Sequence, residues 1–228
     1  MNDDTTRIPE HWTFQDRNIA DTFDDHVREQ LPWYDLVTEA IAHMARNYLP
    51  EHGLIYDIGA STGRLGRLLA DDLDARKARL IAIEQAQEMA DRYDAPGELV
   101  IDDVRNITFA PYDVAICNLV LMFLPPIDRT TLLDHLAETA KPGAAVIIVD
   151  KTEHHPGYLG TVLSRWTLAA KLTQGAQPTD VLAKELSLTG IQRPLTPNEA
   201  PGTLWFRFGD FAGWLWEPNP PTNKHTSP

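Results

Sequence analysis

Apolar positions along this chain recur first with a helical period and then in short strand-like runs. Leu36, Val37, Ala40, Ile41 and Met44 fall on one helical face and predict an amphipathic helix over 33–48. A second helix over 19–30 precedes it, separated at Pro32. Beyond "PEHG" the pattern changes. Apolar runs at 54–59, 78–84, 98–102, 112–118 and 144–150 predict five strands, with helical stretches at 64–71, 86–93 and 128–140 among them. Strands this apolar are covered on both faces, and helical crossovers between them imply a parallel, doubly wound α/β sheet. The end of the chain differs: "TLWFRF" and "FAGWLWE" flank Gly209-Asp210, where a leading glycine suits a type II′ hairpin turn. The expected sheet is therefore seven-stranded, mostly parallel, and closed by an antiparallel hairpin.

This pattern divides the chain into a single domain over 17–216. It comprises N-terminal helices (17–48), an α/β core (54–151), a helical cap (155–187) and the hairpin (203–216). Residues 1–16 are expected to form a disordered or loosely packed leader. Residues 217–228, polar and proline-rich, are expected to be disordered.

Composition narrows the classes of partner. Among 228 residues, 33 are acidic and 20 are Lys or Arg, giving a formal net charge of −13. Such a surface repels phosphate backbones and argues against direct nucleic-acid binding, leaving a small-molecule substrate as the default. Cys117 is the only cysteine, which excludes an intrachain disulfide and suits a reducing compartment. No signal-like start or long apolar run points to a membrane, so a cytoplasmic protein is expected. A homodimer is left open.

The candidate chemistry centres on Gly59–Gly63, "GASTG". As G-x-S-x-G it would make Ser61 a hydrolase nucleophile. Asp150 and the nearby pair His154-His155 supply residue types for a triad, but they sit together at one strand end rather than on separate loops. The other reading is a glycine loop between strand and helix that holds a nucleoside by its backbone. Its context is present. Glu84 ends the second strand about 20 residues on, where an acid accepts ribose hydroxyls. Asp103 follows the third strand and Asn118 closes the fourth, so successive strand ends place polar groups at the carboxyl edge of the sheet. Asp57, two residues before Gly59, would repel a pyrophosphate and orient a cation. That charge pattern favours S-adenosylmethionine, with its sulfonium and ammonium, over a dinucleotide.

Smaller features have plainer readings. His154-His155 reads as a solvated loop and no metal site is expected. Cys117 reads as a small core residue, and Met122 and Phe123 as packing. Lys151 reads as a solvated strand end, with contact to an acidic substrate as the alternative. Trp205, Trp214 and Trp216 read as core, with a partner interface as the alternative.

"YDIGASTGRLGRLL", "LIAIEQAQEMADRY", "IDDVRNI" and "NLVLMFLPP", in that order, resemble the successive motifs of the class I S-adenosylmethionine-dependent methyltransferases. The stretches "REQLPWYD", "NLVLMFL", "VIIVDKT" and "LWFRFGDF" are most similar to the carboxy-S-adenosyl-L-methionine synthase family within that superfamily. The resemblance implies a Rossmann-like class I methyltransferase fold and S-adenosyl-L-methionine, or its carboxylated form, as cofactor. It implies that Tyr34 touches the amino-acid end, that Gly59, Ala60, Ser61 and Gly63 line the ligand with Asp57, and that Glu84 holds the ribose beside Gln85 and Met89. Asp103 and Val104 would flank adenine, and Asn118 would lie near the sulfonium. One departure stands out. The family places an arginine-bearing helix before the last hairpin, whereas "QRPLTPNEAPG" is short and proline-rich, with Arg193 its only arginine. The function expected is methyl transfer to a small-molecule acceptor. The alternatives are carboxy-S-adenosylmethionine synthesis from prephenate, in the pathway of tRNA wobble-uridine modification, and a cofactor-binding module without catalysis. No catalytic base is assigned.

Overall fold

The computed structural model describes residues 11–220. Two helices lead, α1 (Arg17–Gln30) and α2 (Tyr34–Tyr48), followed by β1 (Leu54–Ile58), α3 (Arg64–Leu68), α4 (Ala70–Arg76) and β2 (Arg79–Glu84). Next come α5 (Gln87–Ala90), β3 (Glu98–Ile101), β4 (Tyr112–Asn118), α6 (Pro126–Thr139) and β5 (Ala140–Lys151). The cap helices α7 (Tyr158–Thr173) and α8 (Pro178–Ser187) precede β6 (Thr203–Phe208) and β7 (Phe211–Trp216). The seven strands form one sheet in the order β3-β2-β1-β4-β5-β7-β6. The first five strands pair in parallel, and β7 runs antiparallel to both β5 and β6.

The sheet buries both faces, and strand periodicity sorts its side chains between them. Ile55, Ala82, Val114, Ile116, Ile147 and Val149 pack toward α2 and the helices after β1. Tyr56, Ile58, Ala115, Cys117, Val146 and Ile148 pack on the opposite side with Leu132, Leu133 and Leu136 of α6. Continuing the alternation past the last apolar residue of each strand has a direct consequence. Asp57 follows Ile55 by two, Glu84 follows Ala82, Asn118 follows Ile116 and Lys151 follows Val149. All four polar residues therefore share one face at one end of the sheet. Register keeps them adjacent, with Asp57 opposite Ala82 and Ile116, and Asn118 opposite Val149.

Several boundaries differ from the sequence expectation. The helix expected over 64–71 breaks into α3 and α4 at the buried Leu69, whose backbone (φ −100, ψ 0) departs from helical values. The helix expected to reach 140 ends at Thr139, and β5 begins at Ala140. The described part of the expected loose leader is packed: Trp12 is buried with Ile19, Met89 and Leu188. Glu217 accepts a hydrogen bond from Tyr48 Oη at 3.1 Å, and the Asn219 carbonyl accepts one from the Gly143 N–H at 2.8 Å, so the chain stays ordered past 217. Residues 1–10 and 221–228 of the expected leader and tail lie outside the described residues.

The hairpin turn has Gly209 at φ +56, while Asp210 keeps a negative φ, as a leading-glycine turn requires. Pairing of β6 with β7 shifts register between Leu204 and Phe206, a bulge at Trp205. Trp214 is buried, and Trp205 and Trp216 pack against the core, so these three tryptophans are core residues. Among the described residues no helix is long and apolar enough to cross a membrane.

Arg129 of α6 is 1% exposed and holds the proline-rich stretch before β6 in place. It donates to Glu199 Oε1 at 2.9 Å, to the Leu124 carbonyl at 2.9 Å and to the Arg193 carbonyl. Removing a buried charged donor leaves its acceptors unpaired. Arg129→Met is expected to destabilise the protein by about 3–5 kcal/mol, lowering the Tm by roughly 6–15 °C. Calorimetric melting of both proteins checks this, and an unchanged Tm would remove Arg129 from that role.

Candidate active site

A cavity of about 210 Å³ opens at the carboxyl edge of the sheet, between the strand ends, α1 and the cap helices. Its floor is the loop Gly59–Ser61, held down by Gly59 and Ala60 N–H groups that donate to the Ile83 carbonyl at 2.8 and 3.0 Å. Gly59 has φ +71, and a Cβ there would stand 2.5 Å from Val120 Cγ2, so both conformation and space demand glycine. Glu84 fixes the loop from below. Its Oε2 accepts the Ser61 N–H and its Oε1 the Ala86 N–H, each at 2.9 Å.

The electrostatics are unusual for so dry a place. Asp57 is 2% exposed, and its Oδ2 has no hydrogen-bond partner among the described residues. Burial, aided by the nearby Glu84 carboxylate, pushes the Asp57 carboxyl up to about 7. Burial also raises Glu84, against the opposing pull of the backbone N–H groups of Ala86, Ser61 and Gln85. Asn118 Oδ1 is likewise buried without a partner among the described residues. Tyr34 projects into the cavity from the start of α2, its phenol pushed up to about 12 by burial and by Asp24 and Asp57. An acidic floor with unpaired acceptors is suited to a cationic, hydroxyl-bearing ligand.

Most residues singled out from the sequence meet in this cavity. Tyr34, Asp57, Gly59, Ala60, Ser61 and Glu84 line it, as do Gln85, Met89, Asp103, Val104 and Asn118. Gly63 does not. At φ +88 it caps α3 with its α-carbon turned to Ala95 and Tyr93, where a Cβ would stand 2.8 Å from Ala95 Cβ. It shapes the turn rather than the wall. Asp103 is already engaged, its carboxylate bonded to Arg105, which holds it below the usual carboxylate range. Ser61 adopts φ +52, with its hydroxyl 3.8 Å from Met89 Sδ. His154 Nδ1 lies 3.2 Å from Asp210 Oδ1 and His155 Nδ1 lies 2.9 Å from the Pro156 carbonyl. Asp150 is engaged by the backbone N–H groups of Met122 and Lys151. Among the described residues no triad includes Ser61. Cys117 is fully buried, and burial pushes its thiol up.

Other wall residues were not legible in the sequence. Trp12, Phe14, Phe23 and His26 form the roof, and Met122 and Phe123, expected to be packing alone, border the cavity. Lys151, Lys171 and Lys184 also line it. Lys151 is not a solvated strand end, because its side chain is only 14% exposed. Arg193 is not among the lining residues and is exposed.

The comparisons with known proteins agree with this geometry. Residues 55–143 match the family model described as a methyltransferase domain. That span runs from β1 through the start of β5 and contains Asp57, the glycine loop, Glu84, Asp103 and Asn118. Over that span the chain is similar to methyltransferase domains. Its curated relatives include carboxy-S-adenosyl-L-methionine synthases. The one from Shewanella denitrificans is 26% identical over 187 residues, covering 78% of this chain and 77% of that protein. The one from Shewanella baltica is 26% identical over 219 residues, covering 88% and 90%. Among solved structures, the plantazolicin methyltransferase BpumL, in complex with a monoazolic desmethylPZN analog and SAH, has a TM-score of 0.54 and 19% identity. The match covers 80% of this chain and 65% of that one, just under two thirds of its length. At that identity it establishes the fold alone, a Rossmann-like class I methyltransferase fold.

The buried Asp57 has a measurable cost in the ligand-free protein. Its raised carboxyl favours the folded state while neutral, so that contribution is complete below about pH 4 and lost as the pH rises through about 7. Asp57→Asn keeps the shape without the charge. It is expected to stabilise the ligand-free protein by roughly 2–4 kcal/mol more at pH 8 than at pH 4. Melting temperatures of both proteins at the two pH values test this, and equal gains would mean that Asp57 is not a buried charge.

Proposed function

We propose that this pocket holds S-adenosylmethionine and that the protein transfers its methyl group to a small-molecule acceptor. The observation that carries the reading is the row of acceptors at one sheet edge. Asp57 and Asn118 each keep a buried oxygen without a partner among the described residues, beside Glu84. A ligand with an ammonium, a sulfonium and two adjacent hydroxyls supplies what those oxygens lack. In this reading Glu84 takes the ribose hydroxyls with the lone pairs left after Ser61 and Ala86, and Asp57 and Tyr34 face the charged amino-acid end. Gly59, Ala60 and Ser61 bring backbone against the ligand. Gln85, Met89 and Val104 bracket the adenine, whose amine shares Asp103 with Arg105.

The cofactor supplies a methyl carbon already activated by its sulfonium. What remains for this chain is to orient an acceptor and exclude water, and no dedicated base is required for an acceptor of low pKa. Trp12, Phe14, Phe23 and Phe123 give the pocket an aromatic wall. A cytoplasmic setting belongs to the same reading, supported by the single, buried cysteine.

The names of the curated relatives are consistent with a second reading, the making of a carboxylated cofactor, without favouring it. Against it stands Arg193, which lies outside the pocket. Mass spectrometry of the nucleoside released on denaturing the purified protein separates the two. The methyl-transfer reading expects S-adenosylmethionine or S-adenosylhomocysteine, and a mass heavier by one carboxylate would replace it with the second.

Calorimetric titration with S-adenosylmethionine tests binding itself. Glu84→Gln is expected to weaken affinity at least tenfold, about 1.4 kcal/mol. Affinity should also fall as the pH drops below about 7, because Asp57 then takes up a proton and loses the charge that faces the cation. Asp57→Asn should flatten that pH profile. Absence of heat with the wild-type chain at pH 8 would end the proposal.

A further inference from the structure

The pocket is bipolar. Its sheet end is acidic, whereas its cap end gathers three lysines from three elements: Lys151 at the end of β5, Lys171 on α7 and Lys184 on α8. Such a gathering runs against the net charge of −13 that the whole chain carries. One carboxylate, Glu185, lies within ion-pair distance of two of the three among the described residues. Glu185 Oε2 lies 3.3 Å from Lys151 Nζ, and Glu185 Oε1 lies 3.3 Å from Lys171 Nζ. Lys151 Nζ also lies 3.0 Å from Gln192 Oε1. Lys184 has no carboxylate within ion-pair distance among the described residues, and its Nζ rests on the Trp12 ring.

Surface lysines usually lay their stems on apolar groups and lift the ammonium into water. Here the Lys171 side chain is 8% exposed and that of Lys151 14%, so the charged ends stay inside. Buried ammonium groups in excess of their carboxylates are costly unless a counter-charge arrives. Burial and the proximity of Lys171 lower Lys184 to about 5, and burial lowers Lys171 as well. The other groups facing the cluster do not balance it. His26 of α1 is held near 4 by burial and by Lys184 and Lys171. Asp210 of the hairpin turn, bonded to His154, offsets part of the cost of charging Lys171, which leaves three lysines facing two carboxylates. The walls between the lysines and the sheet are aromatic, from Trp12, Phe14 and Phe123.

We propose that Lys151, Lys171 and Lys184 form a binding site for an oxyanion, a carboxylate or a phosphate, carried by an acceptor with an apolar, ring-sized body. The word acceptor rests on the transferase reading above; the anion site itself does not.

Calorimetry on the full chain tests it with benzoate, phenyl phosphate and the neutral benzamide, each with and without saturating S-adenosylhomocysteine. Benzoate or phenyl phosphate is expected to bind at least tenfold more tightly than benzamide, and the tighter of the two identifies the head group. Lys171→Met with Lys184→Met should reduce that preference at least fivefold while leaving affinity for S-adenosylhomocysteine within threefold. Should the double variant fail to fold, Lys184→Gln alone carries the comparison, with Lys184→Arg expected to restore the preference. Equal binding of benzamide and the anions, no binding of any probe at millimolar concentration, or a preference that survives the substitutions would overturn the proposal. Failure of S-adenosylhomocysteine to bind, with anion preference intact, would instead count against the transferase reading alone.

Discussion

Glu84 occupies the position on which the pocket depends. It ends β2 on the α2-facing side of the sheet, and its two oxygens take the Ser61 and Ala86 N–H groups. One carboxylate thereby ties the glycine loop after β1 to the turn after β2. The same group places a negative charge beside the buried Asp57 and adds to the cost of ionising it in a site with little water. A loop fixed by an acid, next to a second acid whose Oδ2 has no hydrogen-bond partner among the described residues, is stable in this form only because folding elsewhere outweighs it. Such strain at a sheet edge is characteristic of sites whose ligand supplies the missing partner.

Strand periodicity explains why so much of this was readable from sequence. The central strands are apolar on both faces, so their limits and the parallel sheet are plain in the letters, and β4 is found over its expected span. Once strands are known, alternation carries Asp57, Glu84 and Asn118 to one face without further information. The limits are equally physical. A glycine loop does not disclose which glycine faces the ligand, and Gly63 turned toward Tyr93 and Ala95 instead. The break at Leu69 is a local departure of one backbone unit from helical values, which helical spacing of side chains does not reveal.

The cap end was hidden for another reason. Lys171 and Lys184 sit on helices whose exposed faces are themselves apolar, with Tyr158, Leu182 and Leu186 all largely exposed. Period alone therefore misplaces the inward side of α7 and α8. Trp12 was hidden too, because an isolated aromatic in a polar leader has no pattern to declare it, yet it stacks on His26 and roofs the cavity.

The bulge at Trp205 bears on how the molecule behaves among its own copies. β6 is the outermost strand, and a straight six-residue edge offering unpaired amides is a template for another chain's strand. The extra residue bends that rim and interrupts its regular spacing of donors and acceptors. Crowded molecules are thus denied an easy route into continuous sheets, and a chain with Trp205 deleted would present the straighter rim that favours fibres.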